Sequence, residues 1–234
     1  MTTGSSPTIA AIDTSTELAS VAILHRGVLF THQSSGHATH SATVLPMLQR
    51  ALQEAGIALA ECDAFAYGCG PGSFTGVRTA CGLVQGLAFG TQRKVIPVVT
   101  LLAMAHAARR NGAGDDVIAV MDARMGEVYW AHYRYTNQWQ IMTEPTLARA
   151  EQVDSAPGAA VCGNGVCAYP EAFSSLPDDG RYPDILPHAA DIAELAVLAL
   201  ARGESVEARE AQPLYLRNKV ALTTAERLAA GVNA

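Results

Sequence analysis

The chain of 234 residues is 49% hydrophobic and 16% charged, a composition typical of folded globular proteins rather than disordered ones. Its formal net charge of −6 argues against a protein that binds nucleic acid unaided, because neutralising phosphate normally requires an excess of Lys and Arg. Short apolar runs, a polar start without a signal-peptide pattern and five cysteines without metal-type spacing favour a cytoplasmic protein with free thiols and no membrane association.

Three β-prone runs open the chain and predict a meander of strands at residues 8–13, 18–24 and 27–33. The turn between the first two runs carries Asp13, Thr14 and Ser15. This hairpin is similar to one in the superfamily of actin and the sugar kinases, where an Asp followed by small or hydroxyl residues lies close to nucleotide phosphates. The similarity makes these three residues candidates for a phosphate-proximal site, and a plain polar hairpin is the alternative.

A helix is predicted over residues 41–56, because apolar residues, among them Leu48 and Leu52, recur there at spacings of three and four. Pro46 should lie in the first turn of this helix or kink it, since proline lacks a backbone donor. A buried strand at residues 64–69 then leads into a glycine-rich loop.

The glycine-rich loop contains Gly70, Gly72 and Gly76, in the spacing G-x-G-x3-G. A strand, a glycine loop and a helix in succession can hold an anion on backbone N–H groups. The spacing nevertheless matches neither the phosphate loop, which requires a lysine, nor the G-x-G-x-x-G dinucleotide motif. Two interpretations stay open: an anion or nucleotide loop around Gly70 and Gly72, or a structural tight turn.

The helix predicted after this loop, from about residue 76 to residue 89, carries a stripe of small residues. Gly82, Gly86 and Gly90 recur every four positions and so lie on one face. Glycine inside a helix costs about 1 kcal/mol relative to alanine, so three of them require a reason. One interpretation is tight packing of the helix on its own sheet. The other is contact with a helix of a partner chain, because small residues allow two backbones to approach closely.

In the second half of the chain, as in the first, predicted strands come before predicted helices. This repeated order suggests a duplication. Strands are predicted at residues 116–122, 127–135 and 139–144, and an amphipathic helix at residues 191–203. The order throughout is that of an α/β protein with mixed sheets.

A polar cluster rich in Gly, Asn and Asp at residues 110–116 indicates a connection between two parts of the fold. The prediction from this cluster is two domains, residues 1–105 and residues 106–234.

Two further groups of polar residues each have two interpretations. Three histidines within residues 32–40 lack the helical spacing of a metal-binding pair, so solvent-facing or capping roles are favoured over a metal site. Asp122, Arg124 and Glu127 surround a predicted turn at Gly126. Their charges suit either acid–base chemistry or the pinning of a hairpin, and the second role is favoured.

Five stretches of the sequence together resemble the TsaB family, also called YeaZ. They follow the order and spacing of that family over residues 8–221: IDTSTELASVAI, HSATVLPML, AYGCGPGSFTGVR, DARMGEVYW and PLYLRNKVA. GPGSFTGVR and DARMGEVYW are the most specific of these motifs, and their joint presence makes a chance match improbable.

The resemblance implies a two-lobed actin-like fold with mixed sheets of ribonuclease-H-like topology. It also implies a non-catalytic subunit that supports TsaD, together with the small ATPase TsaE, in forming threonylcarbamoyladenosine on tRNA. TsaD transfers the threonylcarbamoyl group to the adenosine beside the anticodon. The tRNA would therefore be bound mainly by other subunits, in keeping with the acidic charge of this chain. No cofactor is expected, and the resemblance leaves open whether the free chain forms a homodimer.

TsaD relatives bind metal through an H-x3-H pair on the helix that follows an IPV strand. This chain carries Thr100 and Met104 at the matching positions, and neither is a good ligand for a hard metal. No metal site and no catalytic residue are therefore expected.

The resemblance further implies that helices of the first lobe contact the partner. This predicts an interface through Leu48, Leu52, Arg78, Gly82, Gly86 and Gly90. Arg78 either holds the glycine loop or reaches across that interface. The alternative function is an ATP-dependent kinase or ATPase of actin-like fold. It would need a second acidic residue at a loop of the other lobe, and the candidate loop at residues 161–166 contains none.

Overall fold

The structure is a computed structural model that describes residues 6–35, 40–154 and 156–217, with backbone alone at residues 40 and 41. Five strands form the first sheet, in the order β3–β2–β1–β4–β5. β1, β2 and β3 pair antiparallel, whereas β4 and β5 continue parallel to β1. The strand bounds are β1 Ile9–Asp13, β2 Leu18–His25, β3 Val28–Ser35, β4 Ala64–Gly70 and β5 Lys94–Val99.

Helices α1 (His40–Ala55) and α2 (Phe74–Thr91) cover one face of this sheet. Leu48 of α1 and Val84 of α2 are buried there against Phe65 and Tyr67 of β4. Both helices are amphipathic at the predicted spacing, so burial of their apolar sides against the sheet explains why they form. Pro46 lies in the second turn of α1 and not in the first, and the alternative prediction, that it kinks the helix, stays a prediction.

The second sheet repeats the topology of the first. Its order is β10–β9–β6–β7–β8, with β6, β7 and β8 antiparallel and β9 and β10 parallel to β6. Each strand thus has a counterpart in the first sheet, which supports the predicted duplication. The bounds are β6 Asp116–Arg124, β7 Glu127–Tyr135, β8 Trp139–Arg149, β9 Ala160–Cys162 and β10 Arg181–Tyr182, with the short helix α4 at Gly165–Ala168.

Two helices cross between the halves of the chain. α3 (Thr100–Arg110) follows the first sheet but packs on the second, through residues that include Leu101 and Met104. α5 (Ala189–Ala201) follows the second sheet but packs on the first, on the face opposite α1 and α2. The predicted domain division between residues 105 and 106 falls inside α3 and stays a prediction. Among the described helices, none combines the length and apolar character that a membrane crossing requires.

The packing of α5 yields a direct test of this arrangement. Ile192 is fully buried against the first sheet, whereas Leu198 of the same helix is 45% exposed. We expect Ile192→Ala to lower the free energy of unfolding by about 2–5 kcal/mol, because it leaves a cavity in the core. Leu198→Ala should change it by no more than about 1 kcal/mol. Urea denaturation followed by circular dichroism measures both values, and equal effects would contradict the placement of α5.

Candidate partner surface and inter-lobe cleft

The glycine loop packs against the turn between β1 and β2. Ser73 caps α2, with its side chain accepting a hydrogen bond from the Gly76 amide at 3.4 Å, and its own amide donates to the Ser15 carbonyl at 2.7 Å. A Cβ atom on Gly72 would lie 2.6 Å from that same carbonyl, and one on Gly76 would overlap the carbonyl oxygen of Thr14. These two glycines are therefore required for close approach of two backbone segments.

Of the five residues predicted to lie near a phosphate, Gly72 lies against Ser15 of the turn, whereas Gly70 lies against Leu214. Asp13, Thr14 and Ser15 are at most 1% exposed, and the Thr14 hydroxyl donates to the Gly76 carbonyl at 2.7 Å. A Cβ atom on Gly70 would lie 2.8 Å from the carbonyl oxygen of Leu214. The space beside these glycines is thus filled by the chain itself, which favours the structural tight turn. A phosphate contact at Asp13, Thr14, Ser15, Gly70 and Gly72 stays a prediction.

Asp13 is a fully buried carboxyl group with only one satisfied oxygen. Its Oδ1 accepts hydrogen bonds from the amide and hydroxyl of Ser15, at 3.1 and 2.9 Å. Its Oδ2 has no partner among the described residues and lies where a side chain on Gly68 would stand. Burial raises the pKa of Asp13 to about 6, against the lowering effect of the two Ser15 hydrogen bonds.

The raised pKa of Asp13 predicts a pH-dependent stability. The folded state holds this proton more tightly than the unfolded state, so the free energy of unfolding falls as pH rises from about 4 to about 6 and stays lowered above that range. Asp13→Asn removes this ionisation. Between pH 4.5 and pH 7.5 we expect the stability of the variant relative to the native chain to rise by about 2 kcal/mol. Urea denaturation at both pH values checks this, and parallel profiles would show that Asp13 does not titrate there.

The glycine stripe of α2 faces open space. Gly82, Gly86 and Gly90 are exposed, and a Cβ atom on any of them would meet nothing within 4 Å. The interpretation that they pack α2 on its own sheet is therefore wrong. Ala80, Val84 and similar residues on the opposite side make that contact. Next to the stripe, Phe89 is 81% exposed, an unusual position for a large aromatic side chain.

The remaining residues of the predicted interface have different exposures. Leu48 is 2% exposed and belongs to the core, Leu52 is half-buried, and Arg78 is exposed in α2. Leu48 therefore offers no surface to a partner in this conformation and acts through its support of α1. The interface itself stays a prediction.

Two glycines of α2 should respond oppositely to the same substitution. Gly76→Ala places a methyl group onto the Thr14 carbonyl, and we expect it to lower the free energy of unfolding by more than about 1 kcal/mol. Gly82→Ala adds a methyl group in open space within a helix, so it should raise that free energy by about 1 kcal/mol. Thermal and urea denaturation measure both, and destabilisation by Gly82→Ala would mean that its face is covered.

A cleft of about 390 Å³ separates the start of α2 from the hairpin turn between β6 and β7. Arg124 and Met125 form this turn with positive φ angles of 65° and 59°. Asp122 stabilises it, because its Oδ1 accepts hydrogen bonds from the Arg124 amide at 2.8 Å and the Tyr169 hydroxyl at 3.0 Å. The polar group at this turn therefore pins a hairpin.

The candidate second loop, residues 161–166, does have an acid beside it. The Asn164 side chain accepts a hydrogen bond from the Asp122 amide at 2.9 Å. Sequence spacing could not reveal this pair, since 42 residues separate its members. The loop is nevertheless filled, because Cβ atoms on Gly163 and Gly165 would collide with Val120.

The segment of residues 206–217, here called the C-terminal strap, joins both lobes at the cleft. The Val206 amide pairs with the Val95 carbonyl, and the Leu214 amide donates to the Cys69 carbonyl at 2.7 Å. Arg217 then reaches the second lobe, where it forms an ion pair with Glu127. Part of this segment belongs to the family motif PLYLRNKVA, whose pattern alone does not predict these contacts.

The positions that correspond to the metal-binding pair of TsaD relatives hold packing residues. Thr100 and Met104 are fully buried, and the Thr100 hydroxyl accepts a hydrogen bond from the Gly70 amide at 3.0 Å. Among the first group of histidines, His32 pairs with Glu54 at 3.1 Å, whereas His37 and the side chain of His40 lie outside the described residues.

One cluster in the described part of the chain has the composition of a metal site. Donor atoms of His106, Asp191 and Glu194 lie within 4.8 Å of one another. Arg110 hydrogen-bonds both carboxylates, at 3.2 and 3.0 Å, and Trp139 donates to His106 Nδ1 at 3.3 Å. Because the guanidinium already supplies the positive charge, we interpret this cluster as an ion-pair network that holds α3 against α5.

Two helix-flanked sheets of identical strand order, with a cleft between them, define a two-lobed actin-like protein. The family model "TsaD: tRNA N6-adenosine threonylcarbamoyltransferase" matches residues 32–171. The Escherichia coli (strain K12) tRNA threonylcarbamoyladenosine biosynthesis protein TsaB is 37% identical over 223 residues, 91% of this chain and 96% of that protein. Its Haemophilus influenzae namesake is 38% identical over 226 residues, 91% of this chain and 94% of that protein.

Solved structures of similar proteins indicate the same family. A Pseudomonas aeruginosa protein described as similar to the peptidase YeaZ superposes with a TM-score of 0.84 at 42% identity, over 90% of this chain and 100% of that one. A structure named YeaZ from the same organism superposes with a TM-score of 0.83, at the same identity and coverage. The chain belongs to the TsaB family, a branch of the TsaD-type actin-like proteins. This confirms the resemblance and the fold predicted from the sequence.

Proposed function

We propose that this chain is the non-catalytic partner of a TsaD-like transferase in the formation of threonylcarbamoyladenosine on tRNA. In this role it binds and supports the TsaD-like subunit while that subunit transfers the threonylcarbamoyl group to the adenosine beside the anticodon. One observation carries the proposal: Gly82, Gly86 and Gly90 form an open stripe along a long, well-anchored helix. The relatives named for this pathway supply the chemical context.

The α2 surface suits a partner helix. Without side chains on the stripe, the backbone of a second helix can approach closely, and the exposed ring of Phe89 adds apolar area beside it. α1 lies next to α2 and presents Leu45, which is 44% exposed. Three glycines in a helix cost stability without a gain inside the monomer, so their contribution has to come from an interaction.

The two glycine loops support a non-catalytic role. The glycines of both loops pack directly against the chain's own atoms, and Asp13 is buried beneath the first loop. A kinase or ATPase of this fold would need an open loop and an exposed acid to bind phosphates and their metal. One observation matches that alternative, since Asp122 lines the cleft beside the second loop. Its carboxylate already accepts hydrogen bonds from the Arg124 amide and the Tyr169 hydroxyl, so we favour the non-catalytic role.

The remaining partners follow from the same role. A TsaE-like ATPase acts on the same complex, and the tRNA is bound chiefly by the other subunits, because this chain has a net charge of −6. A homodimer of the free chain through the same α2 face is consistent with the open stripe.

Reconstitution tests the proposed function directly. TsaD and TsaE from the same source, threonylcarbamoyl-adenylate and unmodified tRNA are incubated with no addition, with this chain or with its Gly86→Leu variant. We expect modification to require the native chain, and the variant to fail because its side chain holds the partner helix away. The modified nucleoside is measured by mass spectrometry, and partner binding by calorimetry.

Two controls separate a loss of partner binding from a general effect of the substitution. Ala201→Leu places a leucine at an exposed position of α5, away from α2, and should leave both activity and binding unchanged. The melting temperature of Gly86→Leu should be no lower than that of the native chain, because leucine replaces glycine in open space within a helix. Full modification without this chain, or tight binding by folded Gly86→Leu, would overturn the assignment.

A further inference from the structure

We propose that Arg78 receives a carboxylate from the partner's docking helix, so that the partner carries an Asp or Glu at the end of its contact with α2. This inference rests on the proposed function and specifies the chemistry of the partner surface. Arg78 lies four residues before Gly82, so it extends the row Gly82–Gly86–Gly90 on the same face of α2. A helix that follows the stripe reaches Arg78 at the end nearest the cleft.

Arg78 is held in a fixed position by aromatic rings. Its guanidinium carbon lies 3.3 Å from the ring centroid of Phe74 and 5.1 Å from that of Tyr215. Its Nε donates a hydrogen bond to the Tyr215 hydroxyl at 2.6 Å. Stacking of this kind stabilises the cation and restrains the side chain before any partner arrives. The two terminal nitrogens keep their donors, and no acceptor for them is found among the described residues.

Among the described residues, no carboxylate forms an ion pair with Arg78. α2 contains no acidic residue, and the single acid of α1, Glu54, pairs with His32. Arginines elsewhere in the described chain commonly have a carboxylate partner: Arg109, Arg110, Arg134, Arg181, Arg202 and Arg217. An exposed, pre-positioned guanidinium without a partner, in a chain of net charge −6, is complementary to an acid on another molecule.

A protein carboxylate fits better than a nucleic-acid phosphate. The planar guanidinium presents paired donors that match two oxygens of a carboxylate or of a phosphate, so the choice between them follows from the charge of the chain. The positive end of the α2 dipole, close to Arg78, favours the same charge. Nucleic-acid binding would require several cations to offset the acidic character of the chain, whereas one side-chain pair at a protein interface requires only one.

The test measures the dissociation constant of the native chain, Arg78→Gln and Arg149→Gln for the purified TsaD-like partner by calorimetry. Arg149 is exposed on the second sheet, so its variant is a matched control for the loss of charge. At about 50 mM salt we expect Arg78→Gln to bind about tenfold more weakly, and at about 300 mM salt the difference should shrink to about threefold. Arg149→Gln should match the native chain, and Arg78→Lys should recover part of the loss.

Other outcomes overturn the inference in distinguishable ways. If Arg78→Gln binds like the native chain at both salt concentrations, Arg78 contacts no acid. A loss of equal size at both concentrations means that packing, not charge, was removed. If partner affinity is unchanged and tRNA affinity of the complex falls, Arg78 contacts nucleic acid. Failure of the native chain itself to bind the partner overturns the proposed function, and this inference with it.

Discussion

The turn after β1 lies directly against the loop before α2, and the remainder of the first lobe depends on this contact. Ser15 binds the Ser73 amide, Thr14 binds the Gly76 carbonyl, and only glycine fits at positions 72 and 76. Because Ser73 also caps α2, the contact fixes where that helix begins and which of its sides meets the sheet. The glycines that look like a phosphate cradle in the sequence thus join two parts of the backbone.

That orientation of α2 determines what the molecule presents to others. The side with Ala80, Val84 and Ala88 is buried, so the glycines four residues apart must point outward. The same helix holds the C-terminal strap, since Cys81 and Gln85 both donate to the Ala211 carbonyl, at 3.5 and 3.0 Å. α2 therefore connects three features: the buried turn, the outward stripe and the strap that reaches the second lobe.

The sequence predicted much of this fold because its signals are local. Alternation and helical spacing located most strands and the helices α1, α2 and α5, and the motifs identified the family. The residues themselves did not reveal α3, because seven of its eleven residues are buried and four of those are alanines, which mark an apolar face only weakly. They also did not reveal that α3 packs on the second sheet and α5 on the first. Nor did they reveal the hydrogen bond between Asp122 and Asn164, since such contacts depend on segments far apart in the sequence. Whether the glycine stripe faces the sheet or solvent could be determined only once the buried side of α2 was known.

The exchange of helices has a consequence for how the chain is made. Residues 9–99 supply every strand of the first sheet, yet the helix that covers one of its faces is α5, at residues 189–201. A nascent chain that has emerged only to the end of α3 leaves that apolar face open to water or to other nascent chains. Completion of the first lobe must therefore wait for nearly the whole chain to leave the ribosome. The α2 surface is finished last, because the strap that binds its residues Arg78 and Gln85 is translated after α5.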